Sequence, residues 1–253
     1  MKAKILISKL AFAGMALGMF TGIASAAGGG ALPFDYKADV SNLPSVQRGA
    51  RIFMNNCSGC HSMKFMRYSR IAQDLNIPEE MMQKNLMFTS DKMGDQIHAA
   101  MPAADGAKWF GQAPPDLSLE TRFRGEDWVY SYLKSFYLDP ARPMGVNNAV
   151  LPGASMPNVL WEKQGWQVQA HHDEDAGHEG GHGKPAPFEL VSEGSMSPDD
   201  FDKYVGDLVN FMAYAAEPGR SMRQSVGIKA LFYLLLLTIF AYFLKKEFWK
   251  DIH

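Results

Sequence analysis

The sequence predicts a mainly α-helical domain with long loops and a small β-hairpin, joined to one C-terminal transmembrane helix. Three observations carry this reading. Apolar residues recur at spacings of three and four in several separate segments of the 253-residue chain, as helices that bury one face require. Between those segments lie stretches rich in proline and glycine that keep neither a helical nor a strand period. Near the end, Ala230 to Leu244 runs without a charge, and extended back to Val226 it reaches 19 residues, the length of a bilayer crossing.

Taken in order, the chain opens with Lys2, Lys4 and Lys9, an apolar stretch from Leu10 to Ile23, and Ala24-Ser25-Ala26. That is the pattern of a secretory signal peptide over 1–26, and the apolar stretch is short for an anchor. Residues 27–44 keep no sustained period and read as an extended lead-in. From Ser45 the pattern turns helical, with Val46, Ala50, Phe53 and Met54 on one face, up to Asn55-Asn56. Further helices are expected over Pro78–Leu86 and Gly125–Tyr137, the latter with Trp128, Val129, Tyr132, Leu133 and Phe136 on one stripe. Residues 99–118 read as a loop wrapped around something, and Asp139–Asn158 as a second irregular stretch.

Short alternating runs at Val159–Gln169 and Pro187–Val191 suggest the hairpin. The segment between them, 171–187, holds His171, His172, His178 and His182 among glycines and acids. No spacing there suits a fixed metal site, so it reads as a solvated, disordered insertion. The last helix of the domain is well specified: Ser197 as N-cap, Pro198 in the first turn, then Asp199 and Asp200 where the helix dipole favours acids. It carries Phe201, Tyr204, Val205, Leu208 and Met212 and ends at Pro218-Gly219.

The expected organisation is thus a signal peptide (1–26), an exported domain (27–220), an anchor (221–245) and a cytoplasmic tail (246–253). The charges flanking the anchor are balanced, so the export signal sets the orientation, with Tyr242 and Trp249 at the inner interface. The formal net charge is −2; loss of 1–26 removes three of 25 basic residues and none of 27 acids, leaving −5. That charge argues against a nucleic-acid partner.

Both cysteines fall in Cys57-Ser58-Gly59-Cys60-His61. This excludes a disulfide framework and a four-cysteine zinc or iron–sulfur site. C-x-x-C-H is the attachment signature of a c-type haem: two thiols one turn apart add to the vinyl groups at one ring edge, and the next residue, His61, sits under the iron. A thioredoxin-type pair would need a strand–helix context, which is missing, and assigns the histidine nothing. The sequence therefore predicts a c-type cytochrome domain with one haem. On the other side of the iron, Met156, Met144, Met101 and His98 are all candidates, whereas Met63 and Met66 follow the motif too closely to reach round the ring.

Several motifs together resemble the cytochrome c1 family: Val46-Gln47-Arg48-Gly49, Cys57 to Met63, Ala113-Pro114-Pro115-Asp116-Leu117-Ser118, Gly125-Glu126-Asp127, Ala215-Ala216-Glu217-Pro218 and the final anchor. The resemblance implies Met156 as second axial ligand. It also implies an arginine and an aromatic residue near a haem propionate, by position Arg122 and Trp128, with Arg124 competing for the first role. The His-rich insertion has no counterpart in that pattern.

The resemblance further implies an electron carrier in a dimeric quinol–cytochrome c oxidoreductase of a bacterial inner membrane, with its haem domain in the periplasm. Such a chain accepts electrons from the Rieske iron–sulfur subunit, beside cytochrome b, and passes them to a soluble cytochrome c. The chain alone carries electrons and supplies no acid–base catalysis; the complex is the enzyme. Nine acids against one lysine between His171 and Asp202 would attract a basic partner. Two rivals remain open: a monohaem cytochrome c of another respiratory complex, and a haem enzyme or sensor with a vacant sixth position.

Overall fold

Two helices that meet almost backbone to backbone organise the domain, in a computed structural model that describes residues 32–170 and 188–250. The expected signal peptide and the His-rich insertion lie outside the described residues. The first helix, α1 (Leu43–Asn56), starts two residues before the apolar pattern does. Asn42 is its N-cap, accepting the Ser45 N–H at 3.3 Å, and proline occupies its first turn. The elements that follow are β1 (Met63–Arg67), α2 (Tyr68–Asp74), α3 (Glu79–Asn85), β2 (Gln96–Ile97), α4 (Ala103–Phe110), α5 (Glu120–Arg124) and α6 (Glu126–Lys134). Then come β3 (Phe136–Leu138), β4 (Val146–Asn148), α7 (Trp161–Gln164), β5 (Gly165–Gln169), β6 (Phe188–Glu193), α8 (Pro198–Ala216) and α9 (Arg220–Phe248).

Helix α8 is the axis of the domain. Its Ser197 N-cap accepts the Asp200 N–H at 3.2 Å as expected, and every residue from Val205 to Ala216 is buried. Helix α1 crosses it where Gly49 leaves no room: a Cβ there would stand 2.0 Å from the Asp207 carbonyl oxygen and 2.7 Å from Phe211 Cβ. Val46, Ala50 and Phe53 pack beside this contact, all fully buried.

The same crossing is tied by polar groups. Asp207 accepts two bonds from the Arg48 guanidinium, at 2.6 and 2.8 Å, and one from the Ser45 hydroxyl at 2.5 Å. Arg48 is half exposed, so solvent screens much of the ion pair, and the Ser45 bond carries more of the specificity. Asn210 donates to the Ser45 hydroxyl at 2.7 Å and accepts from Tyr36 O–H and the Asp39 N–H, each at 2.9 Å. The lead-in is therefore fastened onto α8 rather than trailing free. Tyr36 also stacks on Tyr130 at 4.4 Å.

Burial, with the nearby Asp207 carboxylate, pushes the Tyr36 hydroxyl from 10.0 up to about 12. A raised folded-state value contributes stability that is whole below pH 10.0 and is lost as pH rises through about 12. Unfolding followed by circular dichroism should show an alkaline decline, and Tyr36→Phe should make it shallower without removing it, because burial raises Tyr132 as well.

Several expectations need correction. The helix expected over Gly125–Tyr137 stops at Lys134, because Phe136–Leu138 pair as β3 with β4, Phe136 opposite Asn148. The irregular stretch Asp139–Asn158 thus contains a strand. The loop expected over 99–118 contains α4, which begins after Pro102 and ends at Gly111 with a left-handed φ of 79°. Instead of one hairpin there are three two-stranded antiparallel sheets among the described residues. The expected one is present as β5 and β6, with Gln169 opposite Phe188. Its first run is partly helical, as α7.

Helix α9 has 29 residues, a length of about 43 Å at 1.5 Å per residue. An 18-residue window within it has mean hydropathy 2.0, and none of that window is buried. It is long and apolar enough to cross a membrane.

Candidate functional site

The chain leaves α1 directly into the cysteine motif. Cys57 caps the helix, its N–H on the Phe53 carbonyl at 2.9 Å, and the Cys60 and His61 N–H groups both return to the Cys57 carbonyl, at 3.0 and 2.8 Å. This tight turn buries Cys57 and leaves Cys60 exposed. Burial pushes the Cys57 thiol up to about 12, with a smaller contribution from Cys60.

Pro115 to Ser118 is bonded to His61 and to the residues just after the motif. The Pro115 carbonyl accepts from His61 Nδ1 at 2.8 Å, and Leu117 N–H donates to the Ser62 carbonyl at 2.9 Å. The Asp116 carboxylate accepts the N–H groups of Lys64 and Ser118, both at 2.9 Å, and the Ser118 hydroxyl accepts the Phe65 N–H at 3.1 Å. A proton on Nδ1 leaves the Nε2 lone pair free. Burial also lowers the His61 pKa, against the opposing pull of the Pro115 carbonyl, Glu120 and Asp116. A neutral imidazole oriented by a carbonyl is the form a metal ligand takes.

Cys57, His61 and Met156 line one cleft of about 490 Å³, with Trp128, Val129, Tyr132 and Leu133 of α6, Leu208 and Met212 of α8, and Leu151 and Ala154. It continues into a smaller part that Cys60, Phe110, Pro114, Pro157 and Val159 border. The larger volume lies within the usual range of about 300–1,000 Å³ for ligand sites. Two thiols, an imidazole, a thioether and a mainly apolar lining with Glu120 and Arg124 on its border fit a haem. Among the described residues, no three His, Cys, Asp or Glu side chains gather as a separate metal site.

Of the candidate axial residues, Met156 is the one that lines this cleft. Met144 is 45% exposed on the surface, while Met101 and His98 border a different recess behind Cys60. The turn that leads toward Met156, over residues 150–153, is held by asparagines. Buried Asn148 accepts the N–H groups of Val150 and Leu151 at 2.9 and 3.1 Å and donates to the Tyr132 carbonyl at 2.8 Å. Asn147 accepts the Gly153 N–H at 2.8 Å, and Gly153 adopts the left-handed φ of 81° that its tight turn requires. Sequence reasoning missed these two asparagines; the signal available was a pair of turn-forming residues beside a proline- and glycine-rich loop.

Trp128 lines the cleft, stacked on Tyr132 at 5.1 Å, and the Arg124 guanidinium sits 4.3 Å from the centre of its ring. Arg124 pairs with Glu120 at 2.5 Å, and both border the cleft. Arg122, the arginine expected from sequence position, is exposed and stands outside the cleft lining. Burial pushes the Tyr132 hydroxyl up to about 12.

Comparison with known proteins adds the lineage. A cytochrome c1 from Allochromatium vinosum is 48% identical over 230 residues, 90% of this chain and 93% of that one. A Nitrosomonas europaea protein named ammonia monooxygenase gamma subunit is 39% identical over 85% of this chain and 86% of its own. A chain from a solved structure titled "Hyperthermophilic respiratory Complex III" is 20% identical, covering 98% of this chain and 99% of that chain, with a TM-score of 0.44. The model of the cytochrome C1 family matches residues 33–252. With its motif turn, its laced proline segment and its single apolar tail helix in place, the chain belongs to the cytochrome C1 family.

Proposed function

We propose that this chain is the c-haem electron carrier of a quinol–cytochrome c oxidoreductase, taking electrons from its Rieske subunit and delivering them to a soluble cytochrome c. Family membership implies a c-type haem and partnership with the cytochrome b and Rieske subunits. The observation that carries the site-level reading is the convergence of Cys57, His61 and Met156 on one cleft, with Cys60 at its border.

When bound, the haem supplies a one-electron couple, whose potential a histidine–methionine pair sets higher than two histidines would. The chain's own residues do the rest. Cys57 and Cys60 would hold the group through thioether bonds, which would keep it with the protein through every turnover. His61, aimed by the Pro115 carbonyl, and Met156, on the same cleft, are the residues that would ligate the haem iron. A histidine and a methionine that stayed bound in both redox states would keep rearrangement on electron transfer small. The walls from α6 and α8 exclude water. Arg124, stacked over Trp128 at the cleft border, would supply a positive charge to a propionate; Arg122 on the same short helix is the alternative, on sequence position alone.

The haem domain is placed in the periplasm after removal of residues 1–26, with the tail in the cytoplasm and the complex a dimer. Helix α9 supports a single membrane crossing. The acidic stretch is proposed to favour a basic acceptor, although part of it has structural work: Asp202 pairs with Lys134, and Ser197 and Lys203 hold the Asp200 carboxyl below its usual range.

Purification of the complex from its native membrane tests the reading. The expected result is one covalent haem on this chain, reduced by quinol, with a b-type cytochrome and a Rieske protein alongside. Carbon monoxide binding to the reduced chain would instead indicate an open sixth position. Co-purification with an ammonia-oxidising enzyme, as the Nitrosomonas relative's name suggests for that protein, would move the chain to a different complex.

A further inference from the structure

We infer that Glu126 is a positioning residue that fixes the angle of the haem-binding domain on its membrane helix. Its functional meaning rests on the electron-relay reading above. The structural argument starts from one carboxylate that joins three segments. One oxygen of Glu126 accepts the Ala38 N–H at 2.7 Å, which holds the lead-in. The other pairs with the guanidinium of Arg220, the first residue of α9. Glu126 is itself the first residue of α6, whose next two turns supply Trp128, Val129, Tyr132 and Leu133 to the cleft.

The pair is shielded. Its side chains are only 22% and 19% exposed, whereas the second ion pair at this corner, Arg223 with Glu217, is 66% and 30% exposed. Less solvent screening makes the shielded pair the stiffer of the two. A carboxylate in the first turn of α6 is favoured by the helix dipole as well. The corner needs such a brace. Helix α8 ends at Ala216, α9 begins at Arg220, and Pro218-Gly219 between them belong to neither helix. Without a lateral tie, rotation at that break would swing the whole domain relative to the bilayer. A carrier whose electron donor sits in the same membrane needs its haem at a constant tilt and height.

The test uses the full haem-loaded chain in its purified complex, in oriented membrane multilayers, where electron paramagnetic resonance reads haem tilt. Glu126→Gln keeps an acceptor for Ala38 and removes the charge; Arg220→Gln removes the partner from the membrane side. Both variants should keep the haem spectrum and midpoint potential. Both should widen the distribution of tilt and slow haem reduction by quinol about fivefold, the population change expected when one shielded ion pair is lost. The double variant should be no worse than either single one, because each removes the same interaction.

An unchanged tilt distribution in Arg220→Gln, or additive effects in the double variant, overturns the inference. If Glu126→Gln does not accumulate, Arg220→Gln decides alone, since it leaves the Glu126–Ala38 bond in place. Absence of quinol-driven haem reduction in the unmodified complex would sink the relay reading, with the tilt measurement still decisive for the brace.

Discussion

Gly49→Ala is expected to unfold the domain or lower its melting temperature by on the order of 10 °C, although helix propensity alone predicts the opposite sign. In an exposed helix the exchange of glycine for alanine stabilises by about 1 kcal/mol. Here the added Cβ would lie 2.0 Å from the Asp207 carbonyl oxygen and 2.7 Å from Phe211 Cβ. Neither the backbone atom nor a Cβ can rotate away, so the helices must part. Overpacking of a core costs about 1–3 kcal/mol, and separation also breaks the Ser45–Asp207 and Ser45–Asn210 bonds across the same crossing. A loss above about 3 kcal/mol at roughly 2–4 °C per kcal/mol yields the stated shift. Gly94→Ala is the control: nothing stands within 4 Å of the position its Cβ would take, and the melting temperature should hardly move. Thermal unfolding of both variants checks the pair. A Gly49→Ala protein as stable as the parent would show that α1 and α8 do not meet this closely.

Met156→Leu is the second large effect, and it falls on chemistry instead of stability. Leucine nearly conserves the volume, so folding should survive at a cost under about 1.5 kcal/mol. The thioether goes. The midpoint potential should fall by more than about 59 mV, a tenfold change in a one-electron equilibrium, and the reduced protein should bind carbon monoxide. Redox titration and a carbon monoxide difference spectrum measure both. An unchanged potential would return the axial role to Met144, Met101 or His98.

Cys57, Cys60 and His61, the residues proposed to hold the haem, were legible because their chemistry depends on spacing along the chain. Two thiols and a histidine within five residues read the same in a string as in space. The last helix was legible for the same reason: Ser197, Pro198 and two acids are local signals, and the Ser197–Asp200 bond is present. Gly49 shows the opposite case. The motif Val46-Gln47-Arg48-Gly49 could be recognised as a family pattern, but its reason is a partner 158 residues later, Asp207, which no local period reveals. Arg122 and Arg124 illustrate another limit. They sit two positions apart on one short helix, both exposed, and only the way α5 lies on the cleft makes Arg124 and not Arg122 part of its lining. Strands β3 and β4 were read as helix end and loop because a three-residue strand has too short a period to detect. Phe136 looked helical until Asn148 supplied its partner.

The closure of β5 onto β6 bears on how this chain can vary through evolution. Gln169 and Phe188 face each other across the ladder, so whatever lies between them departs from and returns to one place. A change of length between Gln169 and Phe188 is therefore expected to leave the cleft in shape, because no β5 or β6 residue lines it. Selection on binding partners could act on that segment without having to solve the haem pocket again.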